Sequence, residues 1–487
     1  MSKRILIIST SRELAPQPTV PIGAAWVAEA LHLAGFAVKF LDLCFENHPL
    51  KVIAQVLGTF KPDGIGISVR NLDNCDFIAP KSFLPGVKLI TDFLKAHTDA
   101  RLLLGGAGVS IMPMQVLEYL ELDFAVVGEG ERAAVRFFAC EGGADEASLI
   151  PGVVCRGRAD KPQACQAHLL PGDYLMPQMH TWVDSRRYLG FEPVLPVQGK
   201  RGCANHCLYC TYNKIEGGSW RLRDPASVVE EISIAMRMSG AREFEFVDSI
   251  FNQPEGYLEA LLEEILRRRL QAKFSVSSLS PKGLSKGQLR LMERSGMTSL
   301  VITPETASEV TLSALKKDFS EEDVMHAAEL ISGSSIKALW CFLLGGPKED
   351  ESTLAKTIAF LNRSIGKKDG AFITTGIRIY PETGLHDLAI REGIVEATDD
   401  LLMPRFYFSP ELTPQKAKET LRKGVSNLSR CIFLSDTQQS SLGAWRRLGT
   451  MLGLPTPFWR YAGYMKSAYR QKPTINRKGE RHLNDLL

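Results

Sequence analysis

The sequence predicts an α/β protein: an open parallel sheet, then a partial (β/α)6 barrel, then a small helical C-terminal region. Three observations carry that expectation. Apolar strand-length runs alternate with helix-length runs in two separate stretches of the chain. The strand-like runs are apolar almost throughout, as they are when both faces of a sheet are covered. Between residues 142 and 193 the alternation stops, and proline and glycine punctuate short apolar pieces.

In residues 1–141, Lys3–Thr10, Ala37–Leu43, Gly64–Val69, Arg101–Gly106 and Phe124–Gly128 read as strands. Pro21–Gly35, Leu50–Phe60, Pro85–Ala96, Met114–Leu120 and Glu131–Cys140 read as the helices that follow them. Five βα units give an open sheet whose ligands belong at the carboxyl ends of the strands. Pro151-Gly152, Pro171-Gly172, Pro177 and Pro193 mark residues 142–193 as a connecting segment with room for one hairpin. Alternation resumes over 194–400, with strands at Val194–Gly199, Glu243–Val247, Lys273–Ser277, Ser299–Thr303, Ala338–Leu344 and Ala371–Ile379. Pro225–Ser239 and Tyr257–Leu270 are among the intervening helices, and six such units make a partial barrel rather than a closed one of eight. From Leu401 to the C-terminus the pattern becomes short helices rich in aromatic and basic residues.

Composition narrows the function classes. The chain has 487 residues, 45% apolar and 23% charged, with a net charge of +3, too small to imply a nucleic-acid partner. The opening MSKRILIIST has too short an apolar run for a signal-peptide core, and no run approaches the ~20 residues that span a bilayer. A cytoplasmic location is therefore expected. Ten cysteines are too sparse for a disulfide scaffold, and seven of them (Cys44, Cys75, Cys140, Cys155, Cys165, Cys341, Cys431) are scattered as small hydrophobes are.

The other three cluster. Lys200-Arg201-Gly202-Cys203-Ala204-Asn205-His206-Cys207-Leu208-Tyr209-Cys210 puts three thiols on one loop directly after a barrel strand. Three thiolates on a tight loop can hold three corners of an iron–sulfur cube, leaving the fourth iron without a protein ligand. Structural zinc is the competing reading, but it wants four ligands, usually as two separated pairs, and no second pair follows; His206 would close a tetrahedron awkwardly beside Cys207.

Cys-x3-Cys-x2-Cys, with Tyr209 before the last cysteine, resembles the cluster loop of the radical SAM superfamily, and the barrel resembles its core over roughly 200 residues. The resemblance implies a [4Fe–4S] cluster on Cys203, Cys207 and Cys210 and S-adenosylmethionine chelated by the open iron. An electron from the cluster would cleave that molecule to a 5′-deoxyadenosyl radical, which abstracts hydrogen from substrate. It also implies cofactor contacts from Tyr209 and from the strand ends: Asp248 in Val247-Asp248-Ser249, Ser277 within Ser275–Ser278, Glu305 in Thr303-Pro304-Glu305-Thr306, and Gly345-Gly346-Pro347. Arg378-Ile379-Tyr380-Pro381 ends the sixth strand. The superfamily often has glycine before the glutamate, where this chain has Pro304. Each position also has an ordinary reading as a chain-turning glycine or a solvated carboxylate.

An open α/β unit ahead of such a barrel resembles the cobalamin-binding domain of cobalamin-dependent radical SAM enzymes, the methyltransferases in particular. Ser68, Gly105-Gly106 and Val127-Gly128-Glu129-Gly130-Glu131 carry the match, and the cofactor contacts it implies are Ser68, Gly105, Gly106, Gly128 and Glu129. The Asp-x-His-x-x-Gly that supplies a lower cobalt ligand elsewhere is absent; that loop is Ser11-Arg12-Glu13-Leu14-Ala15-Pro16, and His32 is an ordinary helix residue. Arg70 either shields the lower face of the ring, having no lone pair to give, or pairs with Asp73 or Asp76.

The function implied is radical methylation of an unactivated carbon in a small-molecule substrate, with a reducing partner such as flavodoxin or ferredoxin. A cobalamin-dependent rearrangement or cyclisation, and a cobalamin sensor or carrier with a structural or electron-transfer cluster, are the alternatives. Ser441–Leu487 holds nine Lys or Arg against two acidic residues, interleaved with aromatics. It reads as packing against the barrel, as a peripheral membrane contact, or as a grip on an anionic substrate.

Overall fold

The computed structural model describes residues 2–158, 179–425, 430–434 and 440–461. Its first sheet has the strands β1 (Arg4–Ser9), β2 (Ala37–Asp42), β3 (Gly64–Ser68), β4 (Arg101–Gly105), β5 (Phe124–Val126) and β6 (Val153–Cys155), in the order β2-β1-β3-β4-β5-β6. The five strands read from the sequence are parallel neighbours. The sixth lies in the stretch expected to connect, where Val153–Cys155 pairs antiparallel with β5 and lengthens the sheet. Ile5, Leu6, Ile7 and Ile8 in β1 are all buried, because helices cover both faces. The order reverses between β1 and β3, and Thr10 closes that crevice by donating its N–H (3.1 Å) and its hydroxyl (2.8 Å) to the Ser68 carbonyl.

Residues 179–193 fasten this sheet to the next one. Trp182 Nε1 donates to Glu29 (2.6 Å), and Tyr188 donates its hydroxyl to Asp42 (2.5 Å). The second sheet begins with β7 (Val194–Val197). A two-residue pair follows, β8 (Lys200–Arg201) antiparallel to β9 (Arg221–Leu222). Then come β10 (Glu243–Phe246), β11 (Lys273–Leu279), β12 (Met297–Glu305), β13 (Lys337–Leu344), β14 (Gly370–Thr375), β15 (Ile377–Arg378), β16 (Phe406–Tyr407) and β17 (Cys431–Phe433).

Seven parallel strands run β17-β14-β13-β12-β11-β10-β7. These are the six expected ones plus β17, three residues from the region expected to be helical. The run read as one strand over Ala371–Ile379 divides at Gly376, whose φ of +70° turns the chain; Ile377–Arg378 then pairs antiparallel with β16. Along β13 the alternation is clean: Ala338, Trp340, Phe342 and Leu344 are buried under the helices, and Leu339 and Cys341 line the lumen. The described part of the C-terminal region packs against the barrel base. Trp459 lies 3.1 Å from where a Gly370 side chain would begin, Thr450 donates to the Phe191 carbonyl (3.0 Å), and Arg447 lies over the Phe191 ring. Tyr464, Lys466, Tyr469 and Arg470 lie outside the described residues.

Asp73, after the first sheet's third strand, accepts from Arg378 Nε of β15 at 2.9 Å, both side chains being almost fully buried. The guanidinium also donates to the Leu401 carbonyl at 2.6 Å. Asp73→Ala would leave a buried cation short of its counter-charge and should cost about 3–5 kcal/mol. The check is the urea midpoint at unchanged denaturant slope; Asp73→Asn, which keeps an acceptor, should lose less.

Candidate active site

The three-cysteine loop is built by its ends. Gly202 has a φ of +85°, and any side chain there would begin 1.9 Å from the Ser219 carbonyl oxygen, so only glycine lets the β8–β9 ribbon close. Cys203 N–H then bonds the Gly217 carbonyl (3.1 Å), and Cys210 N–H bonds Cys207 O (3.1 Å). Leu208 laces the loop across the barrel mouth, donating to Leu315 O and accepting from Leu385 N–H, each at 2.9 Å. Each sulfur lies within electrostatic reach of another: Cys203 of Cys207, Cys207 of Cys210, Cys210 of Cys203. Burial raises all three thiol pKa values, while backbone N–H groups of Asn205 and Tyr212 and the Ser249 hydroxyl pull Cys203 and Cys210 back down. Such donors favour sulfur that carries negative charge. Among the described residues no three His, Cys, Asp or Glu side chains converge on a single-ion site. A four-iron cube takes one thiolate per iron, so its ligands need to be neighbours, not to meet at a point. His206 faces the Asn213 amide at 3.3 Å.

The strand ends divide into those that face the loop and those that do not. Glu305, at the end of β12, has a φ of +69°, a left-handed conformation rarely held by a non-glycine residue. Its carboxylate accepts from the Tyr209 hydroxyl (2.6 Å) and from Lys317 Nζ (3.3 Å). Burial opposes the Lys317 charge, but Glu305 and the Cys207 and Cys210 sulfurs outweigh it and leave the ammonium pKa raised. Tyr209 and Glu305, both expected here, are therefore brought together beside the cysteines, with Lys317 a partner that no motif announced.

Asp248 takes a different place from the expected cofactor contact. It is fully buried, accepts from Gly199 N–H (2.7 Å) and Lys200 N–H (3.1 Å), and pairs with Lys200 Nζ (3.2 Å), so its oxygens are spent holding the strand ahead of the loop. The adjacent Ser249 is the one that reaches the loop, donating to Gly202 O at 2.7 Å. Gly345 and Gly346 likewise turn inward, both amides bonding the buried carboxylate of Glu349, while the Phe408 ring fills the space beside Gly345. Burial raises Glu349 to about 7 against those two amides.

On the first sheet, Gly106 has a φ of +103° and packs against the Val69 carbonyl, at 2.5 Å from where a side chain would begin; nothing stands within 4 Å of the same point at Gly105, which faces open space. Gly128 donates to the Ser110 hydroxyl at 2.9 Å, and Ser68 is half-buried at the carboxyl end of β3. Glu129, expected on the cofactor, is taken up elsewhere. It is buried in an ion network with Arg221 and with Arg201 (3.3 Å), which also binds Glu131 (2.7 Å).

A B12 binding domain model matches residues 12–138, and a Radical SAM superfamily model matches residues 197–361. The chain thus combines a B12-binding domain with a radical SAM domain. It is 24% identical over 303 residues to the tryptophan 2-C-methyltransferase of Streptomyces laurentii, covering 52% of this chain and 50% of that one. It is 25% identical over 309 residues to the hopanoid C-3 methylase of Methylococcus capsulatus, covering 62% and 56% respectively. The chain thus spans about half the length of those two relatives. In fold it matches the radical S-adenosylmethionine methyltransferase TsrM of Kitasatospora setae, a structure with cobalamin and a [4Fe–4S] cluster bound. The TM-score is 0.83 at 20% identity, over 96% of this chain and 99% of that one.

Between the two units lies a cavity of about 2160 Å³. It is lined from one side by Arg70, Asn71 and Cys75 of the first unit, and it continues down the barrel lumen past Ser277 and Cys341. The residues present are compatible with the two cofactors: the thiols are neighbours on one loop and nothing stands against Gly105. Neither these three cysteines nor Gly105 line the cavity itself, whose volume exceeds the ~300–1,000 Å³ usual for small-molecule sites. Among the described residues no histidine lines the cavity; His32 lies exposed on its helix near Trp182. Arg70 is open to the cavity yet desolvated by the surrounding walls, which lowers its pKa. With the Asn71 amide turned so that its oxygen faces Arg70, that oxygen accepts from Arg70 at 3.0 Å, and Asp73 is already bound to Arg378. Replacing Cys203, Cys207 and Cys210 together by Ala should abolish iron binding and the sulfur-to-iron absorbance of the anaerobic protein. Retention of about four irons per chain would show that the cluster is held elsewhere.

Proposed function

We propose that this enzyme methylates an unactivated carbon of a small-molecule substrate held between the first-sheet loops and the barrel mouth. One observation carries the reading: a single cavity runs from Arg70 of the B12-binding unit to Ser277 in the barrel lumen, so both units open on one reaction space. When bound there, cobalamin supplies a cobalt that can take up and release a methyl group, and the cluster supplies the electron that cleaves S-adenosylmethionine.

The chain's own residues do the rest. Cys203, Cys207 and Cys210 hold the cluster on a loop fixed at Gly202 and Leu208. Glu305, fixed by Tyr209 and Lys317, offers a carboxylate beside that loop to the cationic or hydroxylated parts of S-adenosylmethionine. Ser277 donates to the Phe246 carbonyl (3.1 Å) and keeps its oxygen in the lumen as an acceptor. Arg70, which lines the cavity and has no electron pair to give, would face the cobalamin without supplying a ligand to its cobalt. A low-potential donor such as flavodoxin or ferredoxin provides the electrons.

Two measurements test this reading. Anaerobic incubation of reconstituted protein with S-adenosylmethionine, reductant and a strain's metabolite extract should yield 5′-deoxyadenosine together with S-adenosylhomocysteine. 5′-Deoxyadenosine alone would replace methyl transfer by other radical chemistry, and neither product would leave a carrier or sensor. The electron paramagnetic resonance spectrum of the Co(II) protein should show no nitrogen superhyperfine splitting. In Arg70→His, which places a nitrogen donor at that position, splitting should appear; splitting in the wild type would remove Arg70 from the proposed position.

A further inference from the structure

The lumen beneath the cluster loop has two unlike walls. On one side Leu339, Cys341 and Phe372 of β13 and β14 present an apolar surface. On the other, Glu245 of β10 stands in register with Ser275 of β11, and Ser277 lies one inward position above it. Both serines donate their hydroxyl protons to backbone carbonyls within the sheet, Ser275 to Phe244 (3.5 Å) and Ser277 to Phe246 (3.1 Å). Lone pairs are what they leave facing the cavity. The Glu245 side chain is half-buried on the cavity wall, and among the described residues no side chain forms a hydrogen bond or ion pair with it. The nearest cation, Arg446, is already paired with Glu192 and bonded to Gln17. This wall therefore offers acceptors and a carboxylate without a direct partner, while the cations nearby, Lys273 and Arg446, are already paired with Glu243 and Glu192.

We infer that Glu245 is a substrate-specificity residue that binds an ammonium group of the substrate, the apolar body lying against Leu339, Cys341 and Phe372. The substrate class is an organic amine with an apolar skeleton. An ammonium can donate to the carboxylate and to both serine oxygens, whereas a carboxylate or phosphate would meet those lone pairs and the charge of Glu245, the nearby cations being already paired. Burial, with the neighbouring Glu192 adding to it, raises Glu245 to about 7, so an empty site holds this carboxyl near its titration point and an incoming cation would ionise it fully. The inference rests on the proposed function for what happens to the substrate, but not for its binding.

Fluorine NMR of 2-(4-fluorophenyl)ethylamine and of its neutral counterpart 2-(4-fluorophenyl)ethanol, added to the full chain loaded with cobalamin and cluster, reads the site without turnover. The wild type should bind the amine at least tenfold more tightly than the alcohol. Glu245→Gln should lose that preference, and Glu245→Asp, which keeps the charge, should retain most of it. Cobalamin absorbance and a thermal melt establish that each variant is folded. Equal binding of the two probes by the wild type, no binding of either at millimolar concentration, or a preference that survives Glu245→Gln overturns the inference. If the amine binds as expected and the anaerobic incubation gives no S-adenosylhomocysteine, the methyl-transfer reading falls and the amine site stands.

Discussion

The arrangement turns on two adjacent cations that cannot be solvated. Lys200 and Arg201 form a two-residue strand, so their side chains point to opposite sides. Lys200 points into the barrel, fully buried, against Asp248 at 3.2 Å and the Phe251 carbonyl at 3.0 Å. Arg201 points the other way, into the B12-binding unit, between Glu129 and Glu131 and over the Trp26 ring. A buried charge without its partner costs several kcal/mol, so neither side chain can leave while the protein is folded. The next two residues are Gly202 and Cys203. The first cluster ligand is thereby placed relative to both units at once, and the distance between the two cofactor sites becomes a property of the fold rather than of a flexible linker.

That constraint explains why the acidic residues are where they are. Burial disfavours the Arg201 charge, but Glu131 and Glu129 more than compensate and its pKa is raised. For Lys200 the balance falls the other way: burial outweighs Asp248, and its pKa is lowered. The two cations thus differ in kind. Arginine keeps its charge in any such site and can fork between two carboxylates, whereas lysine in the same place sits closer to neutrality. The position that joins the units holds the residue that cannot lose its charge.

Much of this was legible in the sequence because it is periodic. The parallel strands of both sheets are apolar runs long enough to recognise, and the cysteine spacing names its chemistry. The strands missed from the two large sheets, Val153–Cys155 and Cys431–Phe433, have three residues each, and the two-residue strands β8, β9 and β16 fewer still, too few to show a period. The expected site residues that the structure finds engaged with other groups share another cause. Asp248, Glu129, Gly345 and Gly346 do lie at the carboxyl ends of strands, but sequence position does not say which way a side chain or an amide turns. Asp248 and Glu129 are claimed by Lys200 and Arg201, and the two glycine amides by Glu349 three and four residues on. Adjacent Lys-Arg immediately before a cofactor loop was the available signal, since two cations entering a buried ribbon require buried carboxylates to receive them.

Glu305 shows the converse. It stands at a strand end in a left-handed conformation that its sequence context, Pro304-Glu305, gives no reason to expect. Holding a non-glycine residue there costs of order 1–3 kcal/mol, and the register between β12 and β13 shifts where it does so. The hydrogen bond from Tyr209 and the ion pair with Lys317 offset that cost, and both come from segments that the cluster loop itself positions. The strain therefore has a direction. It turns a carboxylate away from the sheet and toward the sulfurs, at the one strand end where the hydroxyl of the residue before the last cysteine can meet it.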